Sequence, residues 1–531
     1  MSDDNIAMET MLILAGAKNQ RSVWNSRFQE VVDYCRPNAD SFTGKKSPGQ
    51  SNTDQIYDAT AVDALEEFAT SIHSYVANPT DRYFDFRSTN PRYANDRRVK
   101  LWCEHVTDTI YHYYSAANSG YTGSMSETFL DIGSFGTSVQ YQYWKDGLHF
   151  KTFALADCWI KENSDGFVDT LVREINWTAR QVMQEFGKMP PKLNEKTREK
   201  PDTPLTVIHL VIPRSDTRFL QHIKPAKNFA SIWVCMDTKE TLKIDGFQWF
   251  PFHTPRWLKM STEVYGRSPA LKAMPDIKML NRLEFQLLKG YSKATDPPLI
   301  VPSEAFLVPL KTHPGAVNYK EPGSDPIESL PPVNFSIPEN KAEQKREAIR
   351  KYFYNDVFRL EKENVEMTAY EAQDRREEKL RKIAPMTGRL NMELLGPQLT
   401  LSYLLCTRHG AIDPPPFEIQ GGLKIEYSSP AARAQTSLRA VGLDRYIQRL
   451  IPAAQINPEV FASVNWAGYS REMALAMGTS EKILYSPEEM EAINSQKAEA
   501  EQQQAMVQMA EPASKAIKNL SDSGINLGGM M

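Results

Sequence analysis

Apolar residues recur along this chain with two periods, and the changes of period divide it. In residues 20–36, Trp24, Phe28, Val31, Val32 and Cys35 repeat at helical spacing, and Pro37 stops the run. A polar stretch from Asn38 to Gln55 follows and reads as a loop. Val62, Leu65, Ala69, Ile72 and Val76 predict a second helix over Thr60–Ala77, and an aromatic-rich third helix spans 94–116. Near residue 137 the period drops to two. Val139, Tyr141 and Tyr143 alternate with polar residues, and two further strands flank Ser164-Asp165-Gly166, a hairpin turn. Thr178-Ala-Arg-Gln181 is a capping box opening a short helix, and residues 205–250 return to strand alternation.

The second half reads as mostly helical. Met274, Ile277, Leu280, Leu283, Leu287 and Tyr291 form one continuous stripe, while Met279, Phe285 and Leu288 lie off it. A helix apolar on more than one side needs more than one neighbour. Residues 295–337 contain nine of the chain's 34 prolines, too many for any helix. Ser336-Ile-Pro-Glu339 restarts one, striped by Ile349, Tyr352, Phe353, Val357 and Leu360. Thr368-Ala-Tyr-Glu371 caps a longer helix reaching about Arg408, which Pro385 and Gly396-Pro397 should kink. A short β segment covers Phe417–Tyr427, residues 430–478 read as small helices, and a tail rich in Glu, Gln, Ala and Met follows Ser486. The fold class is therefore α+β, mainly α.

The 531 residues suffice for several domains. A net charge of −4 excludes a protein that is basic all over, so any contact with nucleic acid must be local. Cys35, Cys103, Cys158, Cys235 and Cys406 are widely spaced and read as buried reduced thiols. The apolar run Met11–Ala17 is too short for a membrane span and lacks a basic flank, so neither a membrane anchor nor a signal peptide is expected.

Three stretches carry a likeness to a known family. They are Glu263-Val-Tyr-Gly-Arg-Ser-Pro269 before a long helix, Asn364 to Glu378 opening another, and Ile425-Glu-Tyr-Ser-Ser-Pro-Ala-Ala-Arg-Ala-Gln435. Tyr57-Asp-Ala-Thr60 and Arg82-Tyr-Phe-Asp-Phe86 add to them. In this order the chain, over most of residues 20–480, resembles the portal (head-to-tail connector) proteins of short-tailed double-stranded-DNA phages. The resemblance implies a dodecameric ring at one capsid vertex, a conduit for DNA packaging and ejection. It also implies a wing (mainly 1–268), two stem helices (269–294 and 338–360), a clip between them (295–337), a tunnel loop (361–368) and a crown (411–480); the long kinked helix takes 369–410, and 481–531, outside the resemblance, reads as a tail, helical or partly disordered. Expected partners are double-stranded DNA without sequence preference, a packaging motor (terminase), a tail adaptor, and capsid and scaffolding proteins. The expected location is the virion, with host cytoplasm during assembly.

The stem segments are basic within an acidic chain. Lys272, Lys278, Arg282, Lys289 and Lys293 stand against two acids in 269–294, and six cations, among them Lys345, Arg346 and Arg350, stand against four acids in 338–360. These cations read either as a DNA-facing channel lining or as solvated helix faces with partners one turn away, such as Glu343, Glu347 and Lys351. Arg359, Glu361, Lys362, Glu363 and Asn364 mix signs in the expected tunnel loop, which suits a weak hold on phosphate. Met279, Leu283, Phe285 and Leu288 are the expected oligomer contacts, and Phe306, Leu307 and Val308 the expected docking residues of the clip. No cofactor is expected. Enzyme readings find little support. Gly44-Lys45-Lys46-Ser47 fails the phosphate-loop pattern, Gly133-Ser-Phe-Gly136 is no nucleophile elbow, and His105 and His112 are badly spaced for zinc. A nuclease holding Mg²⁺ on Glu361, Glu363, Glu366 and Asp374 is the alternative enzyme class, and a tail adaptor without a channel the alternative structural one.

Overall fold

The first helix, α1 (Asp3–Cys35), is nearly twice as long as its apolar stripe predicts. Its first half is apolar on more than one side, which hides the helical period. Ile6, Ala7, Leu14 and Ala17 are buried, while Met8 and Leu12 stay exposed. The computed structural model describes residues 3–44, 53–78, 82–90, 96–187, 200–216, 227–300, 336–358, 384–416, 422–427, 442–452 and 464–476, and a few isolated positions besides. It is mixed helix and sheet, mainly helical, and divides into two units.

The larger unit comprises Met1–Tyr83 and Asp108–Asp413. After α1 it holds α2 (Thr60–Val76), the end of α3 (Arg97–Ser115) and α4 (Tyr121–Phe135). Strands β2 (Val139–Trp144) and β3 (Leu148–Phe153) form a hairpin, and β4 (Cys158–Glu162) and β5 (Val168–Thr178) flank the Gly166 turn. Strand β2 was expected from alternation and β4 and β5 from the turn between them, while β3 was not expected. The capping box is present: Thr178 accepts from Gln181 N–H, and the Gln181 side chain returns to Thr178 N–H, starting α5 (Ala179–Phe186). Strands β6 (Pro204–Pro213), β7 (Phe229–Cys235) and β8 (Glu240–Phe247) complete an antiparallel meander in the order β4-β5-β6-β7-β8. Strand β9 (Phe252–His253) joins β2 in the second, three-stranded sheet.

The apolar side of α1 covers one face of the meander, against Trp159, Val172, Ile208, Leu210, Ile232 and Val234. Burying each such side chain contributes about 1.5–3 kcal/mol. Arg21 pins the same helix to the sheet. Its guanidinium donates to the carbonyls of Leu155, Ala156 and Cys158 and lies 4.4 Å from the centre of the Trp159 ring. Burial pulls its pKa below the usual arginine range. Val182 of α5 packs with Leu205, Val207, Cys235 and Leu242 in a separate cluster.

Two long helices follow, α6 (Pro269–Thr295) and α7 (Ser336–Tyr352). The second was expected to run on to 360. It ends instead at Tyr352, two residues before Tyr354, whose φ of 59° lies in the left-handed region, and a short turn α8 (Asn355–Phe358) resumes. Ile349, Phe353 and Val357 are all buried, so the apolar stripe survives the break. Farther on, α9 (Ala384–Leu390), a π turn (Asn391–Leu395) and α10 (Gly396–Arg408) form one run. The expected irregularity therefore takes the form of a π turn just before Gly396-Pro397, where Pro397 lacks the N–H of a regular ladder.

The smaller unit comprises Phe84–Thr107 and Pro414–Met531. Strand β1 (Phe84–Ser88) pairs antiparallel with Leu423–Tyr427, Phe84 opposite Tyr427. The stretches at 82–86 and 425–435 noted in the sequence thus include two paired strands. Phe86 N–H donates to Thr107 Oγ1, and helices at 442–452 and Trp466–Ala476 complete what is described there. Residues 84–107 group with the C-terminal unit, although the sequence placed them with the rest of 1–268.

Candidate nucleic-acid interface

The start of α6 is built by the stretch Glu263–Pro269, and each residue type has a local reason. Ser268 caps the helix: its Oγ accepts from Leu271 N–H at 2.9 Å and donates to the Ser134 carbonyl at 2.7 Å. Pro269 follows at the first helical position, where a missing N–H is harmless. Gly266 must be glycine, because a Cβ there would lie 2.2 Å from the Gly136 carbonyl oxygen. Its N–H donates to Thr137 Oγ1 at 2.8 Å. Tyr265 is buried and accepts from Ile160 N–H, and Arg267 pairs with Glu263. The motif thus fixes where α6 leaves the body of the protomer.

Contacts along α6 and α7 run the two helices antiparallel. Lys345 reaches Asp276 at 2.7 Å, Arg346 reaches Glu284, and Tyr291 donates to Glu339. Arg346 also meets Asp58 at 2.9 Å and Glu343 at 3.1 Å. Partial burial opposes its charge, but the bonds to Asp58 and Glu343 outweigh this and raise its pKa. Arg350 lies 3.5 Å from Glu343, and Lys278 pairs with Glu30 of α1 at 2.6 Å. Four of the eight stem cations expected to line a channel are therefore tied up inside the protomer, by acids of which Glu30 and Asp58 are distant in sequence.

The other four differ. Lys272, Arg282, Lys289 and Lys293 are exposed and make no ion pair among the described residues. With Met279 they are spaced seven, three, seven and four apart, which places them in a ~100° arc of the helix over ~32 Å of its length. Lys289 lies over the Phe285 ring at 4.1 Å. Both acids of α6, Asp276 and Glu284, face α7 instead. The result is a one-sided cationic stripe about as long as one turn of duplex DNA.

Among the expected oligomer contacts, Phe285 is half-buried against Tyr57 at 4.9 Å and Leu283 is half-buried too. Met279 and Leu288 are the exposed ones, at 38% and 51%. Sequence reading missed Trp24, Arg27 and Arg267, which with Glu30, Lys272 and Lys278 line a cleft of about 320 Å³ between α1 and α6. Nothing local in the sequence links α1 to residue 267. Arg359, Glu361, Lys362, Glu363 and Asn364 lie outside the described residues, as do Phe306, Leu307 and Val308, and the carboxylates of the nuclease alternative.

No group of three or more His, Cys, Asp or Glu residues suited to a metal ion occurs among the described residues. All five cysteines are buried and unpaired, as expected. Burial pushes Cys35, Cys158 and Cys406 up to about 12 and Cys103 to about 11, so these thiols stay protonated at neutral pH. No described helix is long and apolar enough to cross a membrane.

Residues 9–484 match the family described as bacteriophage head to tail connecting protein. The chain belongs to that family of phage portal proteins. It is 27% identical over 511 residues to the probable portal protein of Bordetella phage BPP-1, covering 93% of this chain and 91% of that protein. It is 25% identical over 526 residues to the portal protein of Salmonella phage epsilon15, covering 96% and 94%.

Proposed function

We propose that this chain assembles into a dodecameric ring at one capsid vertex and acts as a conduit through which double-stranded DNA enters and leaves. The observation that carries the reading is the stripe of Lys272, Arg282, Lys289 and Lys293, without acidic partners among the described residues, on a helix whose acids are taken up by α7. Ring symmetry repeats the stripe around an axis. Such charge attracts phosphate without reading sequence. Lysines spread singly along a helix hold DNA weakly, and a sliding polymer needs a weak hold. In this reading residues 1–268 form the wing, α6 and α7 the stem, 361–368 a tunnel loop and 411–480 the crown. Residues 295–337 form a clip that meets the packaging motor first and a tail adaptor later, through Phe306, Leu307 and Val308. Lys362 touches phosphate in the tunnel loop, while Glu361 and Glu363 keep it from holding on.

Electron microscopy of the purified full chain tests the reading. Rings with a central hole are expected, together with DNA binding that weakens steeply with salt. Particles without a hole, or Mg²⁺-dependent cutting of DNA by the pure protein, would overturn it.

A further inference from the structure

The α6–α7 pair has two outward faces, and their charges are complementary. On α6 the side turned away from α7 carries Lys272, Arg282, Lys289 and Lys293 and no acid. On α7 the side opposite the buried Ala342 and Ile349 carries Asn340, Glu343, Gln344 and Glu347. Glu343 is bound by Arg346 and Arg350, and Glu339 by Tyr291. Glu347 is exposed and has no ion pair among the described residues. In a ring, neighbouring copies are related by rotation about the axis without translation, so residues at equal height meet. With the pair taken to run along the ring axis, as the stem reading has it, the contacts Asp276–Lys345, Glu284–Arg346 and Tyr291–Glu339 set that height. They bring Arg282 level with the middle of α7, where Glu347 stands one helical turn or less away, about 5 Å. Lys289 and Lys293 fall level with the start of α7 or before it, and Lys272 level with its end. Of the four cations, Arg282 is the one that meets an unpaired carboxylate.

We infer that Arg282 of one copy pairs with Glu347 of the partner subunit, so that α6 is held between its own α7 and the next. The other three cations remain for phosphate. Met279, one turn from Arg282 and 38% exposed, is covered in the same contact. This inference rests on the ring reading above and adds to it the surface that closes the ring. An arginine is suited to the place, because its planar fork binds a carboxylate through two parallel hydrogen bonds.

The test is a charge exchange in the full chain, read as the fraction of protein in rings by native mass spectrometry and electron microscopy. Arg282→Glu or Glu347→Arg alone should lower the ring fraction at least tenfold at a fixed concentration, because like charges then meet at every interface. The double exchange should restore rings. Both side chains are exposed in the protomer, so melting of the unassembled chain should not change; if it does, Arg282→Gln and Glu347→Gln give a milder form of the comparison. As a geometric check, Arg282→Cys with Glu347→Cys, treated with a bis-maleimide spanning about 10 Å, should yield a ladder of covalent oligomers, since the five native thiols are buried. Single exchanges that assemble like the parent chain, a double exchange no better than the singles, or a cross-link confined to one chain would each overturn the pairing while leaving the ring reading intact. A parent chain that forms no rings would overturn both.

Discussion

The β-meander region and the α6–α7 pair handle polar groups in opposite ways. In and around the sheet, most polar side chains are enclosed and bound by groups of the same chain, though Trp159 Nε1, Arg173 Nε and His209 Nδ1 are buried without a hydrogen-bond partner among the described residues. Arg256 is 1% exposed, and its guanidinium and backbone N–H both bind Glu393 of the π turn, while a further arm reaches Glu162. His209 contacts Ser231 at 3.0 Å and stacks on Trp233, and His253 lies 2.8 Å from Gln142. The α6–α7 pair is laced by ions at its seam and leaves unpaired charge on both outer faces. The first region is finished within one protomer. The second carries surplus charge of opposite sign on opposite sides, as a heterologous contact requires.

Four experiments test this contrast. The largest effect is expected at Arg256. Arg256→Ala leaves the buried Glu393 with Arg389 as its remaining cation and strips Glu162 of its contact, and breaking a buried pair in this way costs about 3–5 kcal/mol. Urea unfolding of the unassembled chain measures it, and a loss under about 1 kcal/mol would mean that the enclosed network carries little of the fold.

Next comes acid. Burial holds His253 down to about 3 and His209 well below its usual value, with Arg173 adding to the second. Unfolding restores both to near 6.5. The unfolded chain therefore binds more protons below pH 6.5, and stability falls as pH drops through that value. Each histidine adds a slope of about 1.4 kcal/mol per pH unit. Melting between pH 7.5 and 5 should show this fall, and His253→Gln should remove one proton's share of it. An unchanged slope would assign the acid sensitivity elsewhere.

Arg346→Ala should cost less, about 1.5–3 kcal/mol, since hydrogen bonds to charged groups are lost at a site a quarter exposed. Its unfolding curve should shift while that of Arg350→Ala barely moves. Equal shifts would mean that Asp58 and Glu284 contribute nothing particular to the seam. The smallest effect on stability is expected for Lys289→Glu, within about 0.5 kcal/mol. On assembled rings the same change should flatten the dependence of DNA affinity on salt. An unaltered dependence would remove Lys289 from the channel.

Much of the local architecture was legible from residue order alone. Thr178 and Gln181 cap α5 because both partners lie within one turn. Val139, Tyr141 and Tyr143 alternate with polar residues and do mark a strand, but Gln140 and Gln142 are enclosed while Tyr141 and Tyr143 are half-buried, which alternation alone does not tell. The start of α6 was marked by Ser268 and Pro269, whose roles depend on neighbours in sequence. Family membership was legible too, since order and spacing of short stretches survive at modest identity. Where the reading stopped, the partner lay far away along the chain. The first half of α1 is apolar on several sides, and only the sheet decides that Ile6 and Leu14 face inward while Leu12 does not. Strand β1 needs Leu423–Tyr427, more than three hundred residues distant, to exist at all.

The stem cations mark the same divide. Residue order already shows that two helices separated by a proline-rich stretch carry an excess of positive charge, because composition and periodicity are local properties. It did not determine which cations are free. Glu30 and Asp58 lie more than two hundred residues from Lys278 and Arg346, and folding brings them within about 3 Å. Coulomb attraction between side chains depends on distance in space and on the water left between them, and neither is written in residue order. Folding in space therefore ties Lys278, Lys345 and Arg346 to acids of other helices and Arg350 to an acid of its own, while Lys272, Arg282, Lys289 and Lys293 have no acidic partner among the described residues.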